Sequence, residues 1–365
     1  MYIKQRRLVL KSGWGRDRTV DLTIFSRALV PTELPSHAEL HSTLYPMTAL
    51  IFGVSSQDAR FLTKVLKEAD ETVIGVVSKR DQARTELFKE LPFDDLIPAD
   101  FSCADSIQSA IHTMKAAKVF NLVGYSSVHA SFREPIICAD TNYLFFQRLL
   151  LAALKSESDP HIFQCSSSEM FAGSRDSSVS EQSHAMPISP YGVSKTAAHY
   201  LASTYRNAHN LRVSTGILFN HESEFRTPRF FSKRVVIGLV DVFLGKADRF
   251  TVDRLDFWRD WSYAADFAKA FQVIAEQSKP DDYVVAAGKL HSGRDFVRLG
   301  MEYLGIGSVI EDVVSIQSTD LRPADHDGVV GDTAKIASSL GWTPRVTFEE
   351  MIRIMIDAEI ASRGK

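Results

Sequence analysis

Met47-Thr48-Ala49-Leu50-Ile51-Phe52-Gly53-Val54-Ser55-Ser56-Gln57-Asp58-Ala59 decides how the rest of the chain is read. Thr48–Gly53 is a short apolar run closed by glycine, the pattern of a buried strand. Asp58–Lys67 follows with helical spacing. Working outward, the same alternation repeats. Glu71–Val77 reads as a second strand, and a third is expected ahead of Asp100. Ile107–Ala117 reads as a helix and Lys118–Val123 as a strand. Tyr143–Lys155 reads as a helix, His161–Cys165 as a strand, Tyr191–His209 as a helix and Leu211–Phe219 as a strand. Strands separated by helices mean βαβ units and a parallel sheet. The expected fold is α/β: a Rossmann-type doubly wound parallel sheet, with ligands at the carboxyl ends of its strands. After Phe219 the alternation loosens, with one more apolar strand at Tyr283–Ala287. That part reads as a smaller C-terminal substrate-binding lobe.

Residues 1–46 read differently. Lys4, Arg6, Arg7, Lys11, Arg16 and Arg18 come early, with no strong apolar periodicity and no secretory apolar core. The expectation is a disordered tail or a spurious upstream extension, with a transit peptide as a weaker alternative. Met47 stands immediately before the first strand, which favours the extension.

Composition bounds the function. Of 365 residues, 45% are hydrophobic and 24% charged, as in an ordinary globular protein. A net charge of −3 gives no electrostatic case for nucleic acid or an anionic membrane as partner. No apolar run approaches the roughly 18 residues of a membrane span. The best candidate, Val235–Val240, is interrupted by Asp241. Cys103, Cys138 and Cys165 are odd in number and lack zinc or redox spacing. They read as buried or half-buried thiols in a reducing compartment, and a cytoplasmic location and no metal are expected.

The turn after the first strand is where such a fold binds pyrophosphate. Here it is Gly53-Val54-Ser55-Ser56-Gln57-Asp58-Ala59. A Gly-x-x-Gly-x-x-Gly turn would place glycines where Ser56 and Ala59 stand, so each adds a Cβ beside the phosphates. Gly53, Ser56, Gln57 and Asp58 are candidate cofactor contacts. At the end of the second strand, an acidic side chain would bind the ribose 2′-hydroxyl of NAD. The chain has Ser78-Lys79-Arg80 instead, and cations there suit a 2′-phosphate. NADP is therefore the expected cofactor, although Asp81 follows and partly offsets the charge. A solvated basic turn is the bland alternative.

Tyr191-Gly192-Val193-Ser194-Lys195 places a tyrosine and a lysine at i and i+4, on one face of a helix. A free phenol has a pKa near 10, and a neighbouring cation lowers it, so Lys195, with the charged nicotinamide, is expected to make Tyr191 a usable base. Upstream, Ser166-Ser167-Ser168-Glu169 sets hydroxyls and a carboxylate at the end of an apolar strand. Alone, that stretch reads as a helix cap. Together with Tyr191 and Lys195 it reads as a catalytic set.

From Met47 to about Pro344 the chain resembles the GDP-mannose 4,6-dehydratase family of extended short-chain dehydrogenases. Ser166–Glu169 is similar to that family's Ser-Thr-Ser-Glu, with Ser167 keeping the hydroxyl of its threonine. Ser189–Lys195 resembles its Ser-Pro-Tyr-x-x-x-Lys, and Gly216–Ser223 its Asn-His-Glu-Ser stretch. Arg259-Asp260-Trp261, Leu321-Arg322-Pro323, Gly331-Asp332 and Leu340-Gly341-Trp342 also match. The resemblance implies a dehydratase that binds a nucleotide sugar, GDP-mannose first among them, and recycles NADP within each turnover. Ser167, Glu169, Tyr191 and Lys195 would be catalytic. Asp100, Leu122, Gly124 and Ser126 would join Tyr191 and Lys195 around the cofactor. Asn220, Glu222, Arg259 and Arg322 would meet the substrate, and His221 would be a structural loop residue. Residues 47–219 would be the NADP-binding domain. Residues 220–365 would be the substrate lobe, interleaved with the last Rossmann elements at about 258–288. A homo-oligomer, dimer or tetramer, follows by analogy.

Three departures fall on the cofactor side: the glycine turn, Val123-Gly124-Tyr125-Ser126 in place of Gly-Ala-Gln-Ser, and Phe145-Phe146 in place of Gly-Thr. The competing readings are a dehydratase or epimerase for another nucleotide sugar, and a non-catalytic dinucleotide-binding homologue. Glu169 argues for elimination over epimerisation. A serine hydrolase built on Gly124-Tyr125-Ser126-Ser127-Val128 lacks the closing glycine.

Overall fold

A computed structural model of the chain describes residues 47–79, 81–82, 88, 90–317 and 328–364. The apolar runs become seven parallel strands: β1 (Thr48–Phe52), β2 (Thr72–Ser78), β3 (Asp95–Ala99), β4 (Lys118–Asn121), β5 (His161–Cys165), β6 (Val213–Leu218) and β7 (Asp282–Val285). Their spatial order is β7-β6-β5-β4-β1-β2-β3, the doubly wound order in which the chain reverses direction beside β1. Alternate residues of β1 face opposite layers. Ala49 and Ile51 pack under α1 (Gln57–Glu68) and α5 (Ala264–Ala275). Leu50 and Phe52 pack under α2 (Ala104–Thr113), α3 (Phe145–Leu154) and α4 (Pro190–His209). Both faces are covered, which is why β1 and β2 read as largely apolar runs.

β3 contains Pro98 and, among the described residues, pairs only with β2. A proline is tolerated there because an edge strand leaves a row of N–H groups unpaired. The helix expected at Tyr143–Lys155 is longer and irregular. Pro135–Ala139 is α-helical, Asp140–Leu144 widens into a π-turn, and α3 continues from Phe145.

The chain beyond β6 forms the lobe. Asn220–Glu222, Trp258–Tyr263 and Leu290–Ser292 make a three-stranded sheet. Trp258–Tyr263 therefore belongs to this small sheet, whereas α5 and β7 return to the main one, as do Ile336 and Trp342 further along the chain. Val235–Val240 lies inside the helix Phe231–Phe243 and is buried against Trp261, Phe296 and Met355. Trp261 stacks on Phe348 at 5.5 Å and 11°. No helix among the described residues is long and apolar enough to cross a membrane.

Candidate active site

The carboxyl ends of β1, β4, β5 and β6 open on a cleft of about 1310 Å³. Every described residue expected to touch a ligand lines it. Gly53, Ser56, Gln57, Asp58, Ser78, Lys79, Asp100, Leu122, Gly124 and Ser126 come from the ends of β1 to β4. Ser167, Glu169, Tyr191 and Lys195 come from β5 and α4, and Asn220, Glu222 and Arg259 from the lobe. Arg80, Arg322 and residues 1–46 lie outside the described residues.

Gly53 has φ +93°, and a Cβ there would lie 2.6 Å from the Leu122 carbonyl carbon. Only glycine fits that bend against β4. Ser56, at the second glycine position, takes another part: its hydroxyl accepts the Ala59 N–H at 3.0 Å and caps α1. Ala59 is buried in the core, so the third substitution fills space between helix and sheet. The first turn of α1 thus opens on the cleft, and a helix N-terminus is the usual anchor for a phosphate.

The side chains of Gln57 and Asp58 do something the sequence reading did not foresee. Gln57 donates to the His221 carbonyl at 2.8 Å and accepts from Ser223 at 2.7 Å. Asp58 faces His221 Nε2 at 3.2 Å. Both side chains turn to the lobe, so only their backbone is left for a cofactor. His221 is structural: Nδ1 donates to the Phe219 carbonyl at 2.7 Å, and the ring stacks on Phe267 at 4.5 Å. Burial opposes its charge, but Asp58 outweighs burial and holds its pKa above the ordinary value.

At the end of β2, the Ser78 hydroxyl donates to Asp81 at 2.8 Å, and Lys79 Nζ stands 3.1 Å from Asp100. Two bonds from Ser102, with Lys79 beside them, pull the Asp100 carboxyl down to about 2. Lys79 and Asp100 therefore hold one another at the rim of the cleft.

Ser189 caps α4 by accepting the Gly192 N–H at 3.0 Å, and Pro190 starts the helix. A Cβ at Gly192 would lie 2.7 Å from the Glu169 carbonyl, so this glycine lets α4 press against the turn carrying Ser167 and Glu169. Tyr191 and Lys195 are both buried. Lys195 Nζ donates to the Cys165 carbonyl at 2.9 Å and stands 5.9 Å from the centre of the Tyr191 ring. Burial raises the Tyr191 pKa; the Ser167 hydrogen bond lowers it, and the Glu169 charge raises it again. Among the protein groups desolvation dominates, and the lowering expected of Lys195 is one it would share with the charged nicotinamide. Burial also lowers the pKa of Lys195.

The loop after β4 is clamped by Asn142, which sits in the π-turn. Its Oδ1 accepts the Tyr125 N–H at 2.8 Å, and its Nδ2 donates to the Tyr125 carbonyl at 3.3 Å and to Ser194 of α4 at 3.0 Å. Phe146 is fully buried, and Phe145 packs on Phe101 at 4.8 Å and on Phe52 at 5.8 Å. Most of the extra bulk at 145–146 therefore enters the core. Ser127 caps the following helix by accepting from Ala130 at 3.2 Å, which engages one serine of the stretch weighed as a hydrolase elbow.

In the lobe, Asn220 lies opposite Trp261 in the small sheet. Arg259 donates to the Trp258 carbonyl at 2.7 Å and lies 5.3 Å from the Phe257 ring centre. Glu222 corrects an expectation. Its carboxylate is buried and holds Ser232 at 2.6 Å and Arg226 at 2.9 Å, so it positions an arginine before it could meet a substrate. Arg226, Arg229, Arg234 and Arg254 also line the cleft and were not anticipated. Arg226 stacks over Phe230 at 3.6 Å. The run of arginines directly after the Asn-His-Glu-Ser stretch was the available signal. Cys138 and Cys165 are buried, whereas Cys103 is exposed, against expectation. The described residues contain no cluster of three or more metal-ligating side chains.

A family model described as GDP-mannose 4,6 dehydratase matches residues 50–355. The chain belongs to the GDP-mannose 4,6-dehydratase family. Among its relatives, GDP-mannose 4,6 dehydratase 2 of Arabidopsis thaliana is 34% identical over 87% of this chain and 88% of its own length. The Homo sapiens GDP-mannose 4,6 dehydratase is 30% identical over 86% and 91%. Among solved structures, a putative epimerase from Burkholderia cenocepacia superposes with TM-score 0.74 at 21% identity, covering 87% of this chain and 99% of its own. RMD from Pseudomonas aeruginosa, complexed with NADPH, superposes with TM-score 0.71 at 20% identity over 87% and 99%. At such identities these neighbours establish the fold that this family member shares.

Proposed function

We propose that the chain is an NADP-dependent GDP-mannose 4,6-dehydratase, a lyase forming GDP-4-dehydro-6-deoxy-mannose. The observation that carries this reading is the convergence of Ser167, Glu169, Tyr191 and Lys195 in one cleft with the Gly53 turn and the Asn220–Ser223 loop. The protein groups fit a nicotinamide dinucleotide. Gly53 and the start of α1 offer a phosphate cradle, Lys79 and Asp100 stand at the adenosine side, and Lys195 lies beside the reacting tyrosine. Lys79 supports NADP over NAD.

A bound nicotinamide would supply a hydride acceptor for sugar C4, a hydride donor for C6 and positive charge near the phenol. Tyr191 removes the proton from sugar O4, with Ser167 orienting that oxygen. Oxidation at C4 makes the C5 proton acidic, and Glu169 takes it. Glu169 then passes that proton to the departing C6 hydroxyl, which leaves as water with a C5=C6 double bond behind it. Hydride addition at C6 is completed by the O4 proton moving from Tyr191 to C5, which restores the phenolate. Arg226, Arg229, Arg234, Arg254 and Arg259 form a basic wall suited to the diphosphate, with Asn220 beside it.

We assign residues 47–219 to the NADP half and 220–365 to the substrate half, with α5 and β7 completing the sheet. A homo-oligomer is supported by exposed Ile136, Ile137, Val193 and Tyr200 on two neighbouring helices; light scattering tests it. Three unpaired cysteines suit a reducing, cytoplasmic setting, testable by fractionation.

The decisive experiment incubates the purified chain with GDP-mannose and NADP⁺ and reads products by mass spectrometry. Loss of one water without net NADPH is the expected result. Bound NADP(H) with untouched GDP-mannose would point to another nucleotide sugar. Neither binding nor turnover would leave a non-catalytic homologue.

A further inference from the structure

Gln57 and Asp58 open α1 on the dinucleotide side of the cleft, yet their side chains are committed to residues 221 and 223. The Gln57 amide is used at both ends, donating to the His221 carbonyl at 2.8 Å and accepting from the Ser223 hydroxyl at 2.7 Å. That fixes its orientation. His221 Nε2 stands 3.2 and 3.3 Å from the two Asp58 oxygens. Its Nδ1 donates to Phe219, and its ring lies on Phe267 of α5. The Ser223 oxygen also accepts the Phe225 N–H at 3.2 Å. Gln57 and Ser223 are buried, and the His221 and Asp58 side chains are 14% and 15% exposed. Polar bonds buried to this degree are costly to leave unmade, so the two segments hold one another in place.

We infer that Gln57, Asp58, His221 and Ser223 form a latch that couples the two halves of the cleft, so that filling either half tightens binding in the other. The inference rests on the proposed function in placing NADP at the start of α1 and the nucleotide sugar at Asn220–Ser223. A phosphate seated on the first turn of α1 fixes the position of Gln57 and Asp58, and through their bonds that of the loop. The second ligand then meets a loop already set in its bound position. Linkage requires the effect to be equal in both directions. A dehydratase that reduces and reoxidises one bound cofactor in each turnover gains from holding it most tightly while the sugar nucleotide is present. The four residues are positioning residues, because their side chains act through each other.

The test titrates the full chain by calorimetry with NADP⁺ alone and with saturating GDP, then with GDP alone and with saturating NADP⁺. The expected result is tightening by one common factor, about 5- to 150-fold, in both directions. In Asp58→Asn and Ser223→Ala the factor falls to about twofold or less in both directions. A merely structural network would lower the melting temperature of both variants and leave the coupling factor intact, which overturns the inference. A wild-type factor of about one overturns it as well. Failure of the wild type to bind either ligand would instead sink the proposed function. If Asp58→Asn does not fold, Ser223→Ala carries the test, since it removes a single hydroxyl.

Discussion

Ser167 and Glu169 share one turn, and Tyr191 of α4 is hydrogen-bonded to Ser167, so their roles separate only by substitution. If Glu169 moves the C5 proton, Glu169→Gln should lower dehydration by about 10²- to 10⁴-fold while GDP-mannose binding changes little. Ser167→Ala should fall well below wild type, and Ser167→Thr should stay close to it, because the hydroxyl beside Tyr191 is what matters. Mass-spectrometric initial rates with a GDP-mannose titration check all three. Equal losses in the alanine and threonine variants would remove Ser167 from the mechanism. Ser56 makes a second case. Its hydroxyl caps α1 through Ala59, so Ser56→Ala should cost about 1 kcal/mol of stability and Ser56→Gly only a few tenths. Urea melts decide between them. If glycine proves the more damaging, the cap is not what the serine contributes. From sequence, Ser56 was legible only as a missing glycine. The compensating bond depends on a hydroxyl rotamer that no residue pattern encodes. Gln57, Asp58 and Glu222 were misjudged for a related reason, since their partners lie in the fold and two of them lie more than 160 positions away.

Among the elements, strands buried on both faces were readable because burial leaves a mark in composition: β1 and β2 are largely apolar, and β4, β5 and β6 keep apolar residues such as Val119, Phe120, Ile162, Phe163 and Ile217 between buried polar ones. The short strand Asn220–Glu222 carries no such mark. It exists because Trp258–Tyr263 lies beside it. The π-turn at Asp140–Leu144 was hidden too, since one extra residue in a turn barely disturbs helical spacing. Its consequence is large. It presents Asn142 to both backbone groups of Tyr125 and to Ser194, tying the loop after β4 to the helix of Tyr191 and Lys195. Asn142→Ala would strand buried partners at about 1–3 kcal/mol each and release that loop. The expected outcome is a lower melting temperature together with weaker NADP⁺ binding, and a GDP affinity close to wild type. Thermal melts and paired titrations read all three quantities. NADP⁺ binding that survives the loss of stability would confine Asn142 to a packing role.

Across the whole molecule, the sheet has a ligand end and a buried-charge end. The carboxyl ends of the strands hold the cleft. The amino ends hold Glu71, Lys118 and His161. Lys118 and Glu71 pair at 2.6 Å with both side chains 5% exposed, and His161 lies opposite Lys118 with its Nε2 2.9 Å from the Ser214 hydroxyl. Burial pulls the His161 pKa down from 6.5 to about 4, with Arg212, Lys118 and Arg206 adding to the effect. Between those two values the unfolded chain binds a proton that the folded chain refuses, so stability falls as the pH drops through that window. The full shift corresponds to something on the order of 3 kcal/mol. His161→Gln keeps a polar group near Ser214 but does not titrate. Wild type should lose its advantage over this variant progressively from about pH 6.5 to 4, with turnover at neutral pH unchanged because the cleft lies at the other end of the sheet. Glu71 runs the opposite way: burial raises its pKa, so the folded state holds a proton that the unfolded state releases, and stability is lost as the pH rises. That contribution is shared by both proteins and cancels in their difference, provided the Lys118 pair is undisturbed. Denaturant melts of the two at several pH values isolate His161, and a difference that does not vary with pH would show that this histidine titrates normally inside the fold.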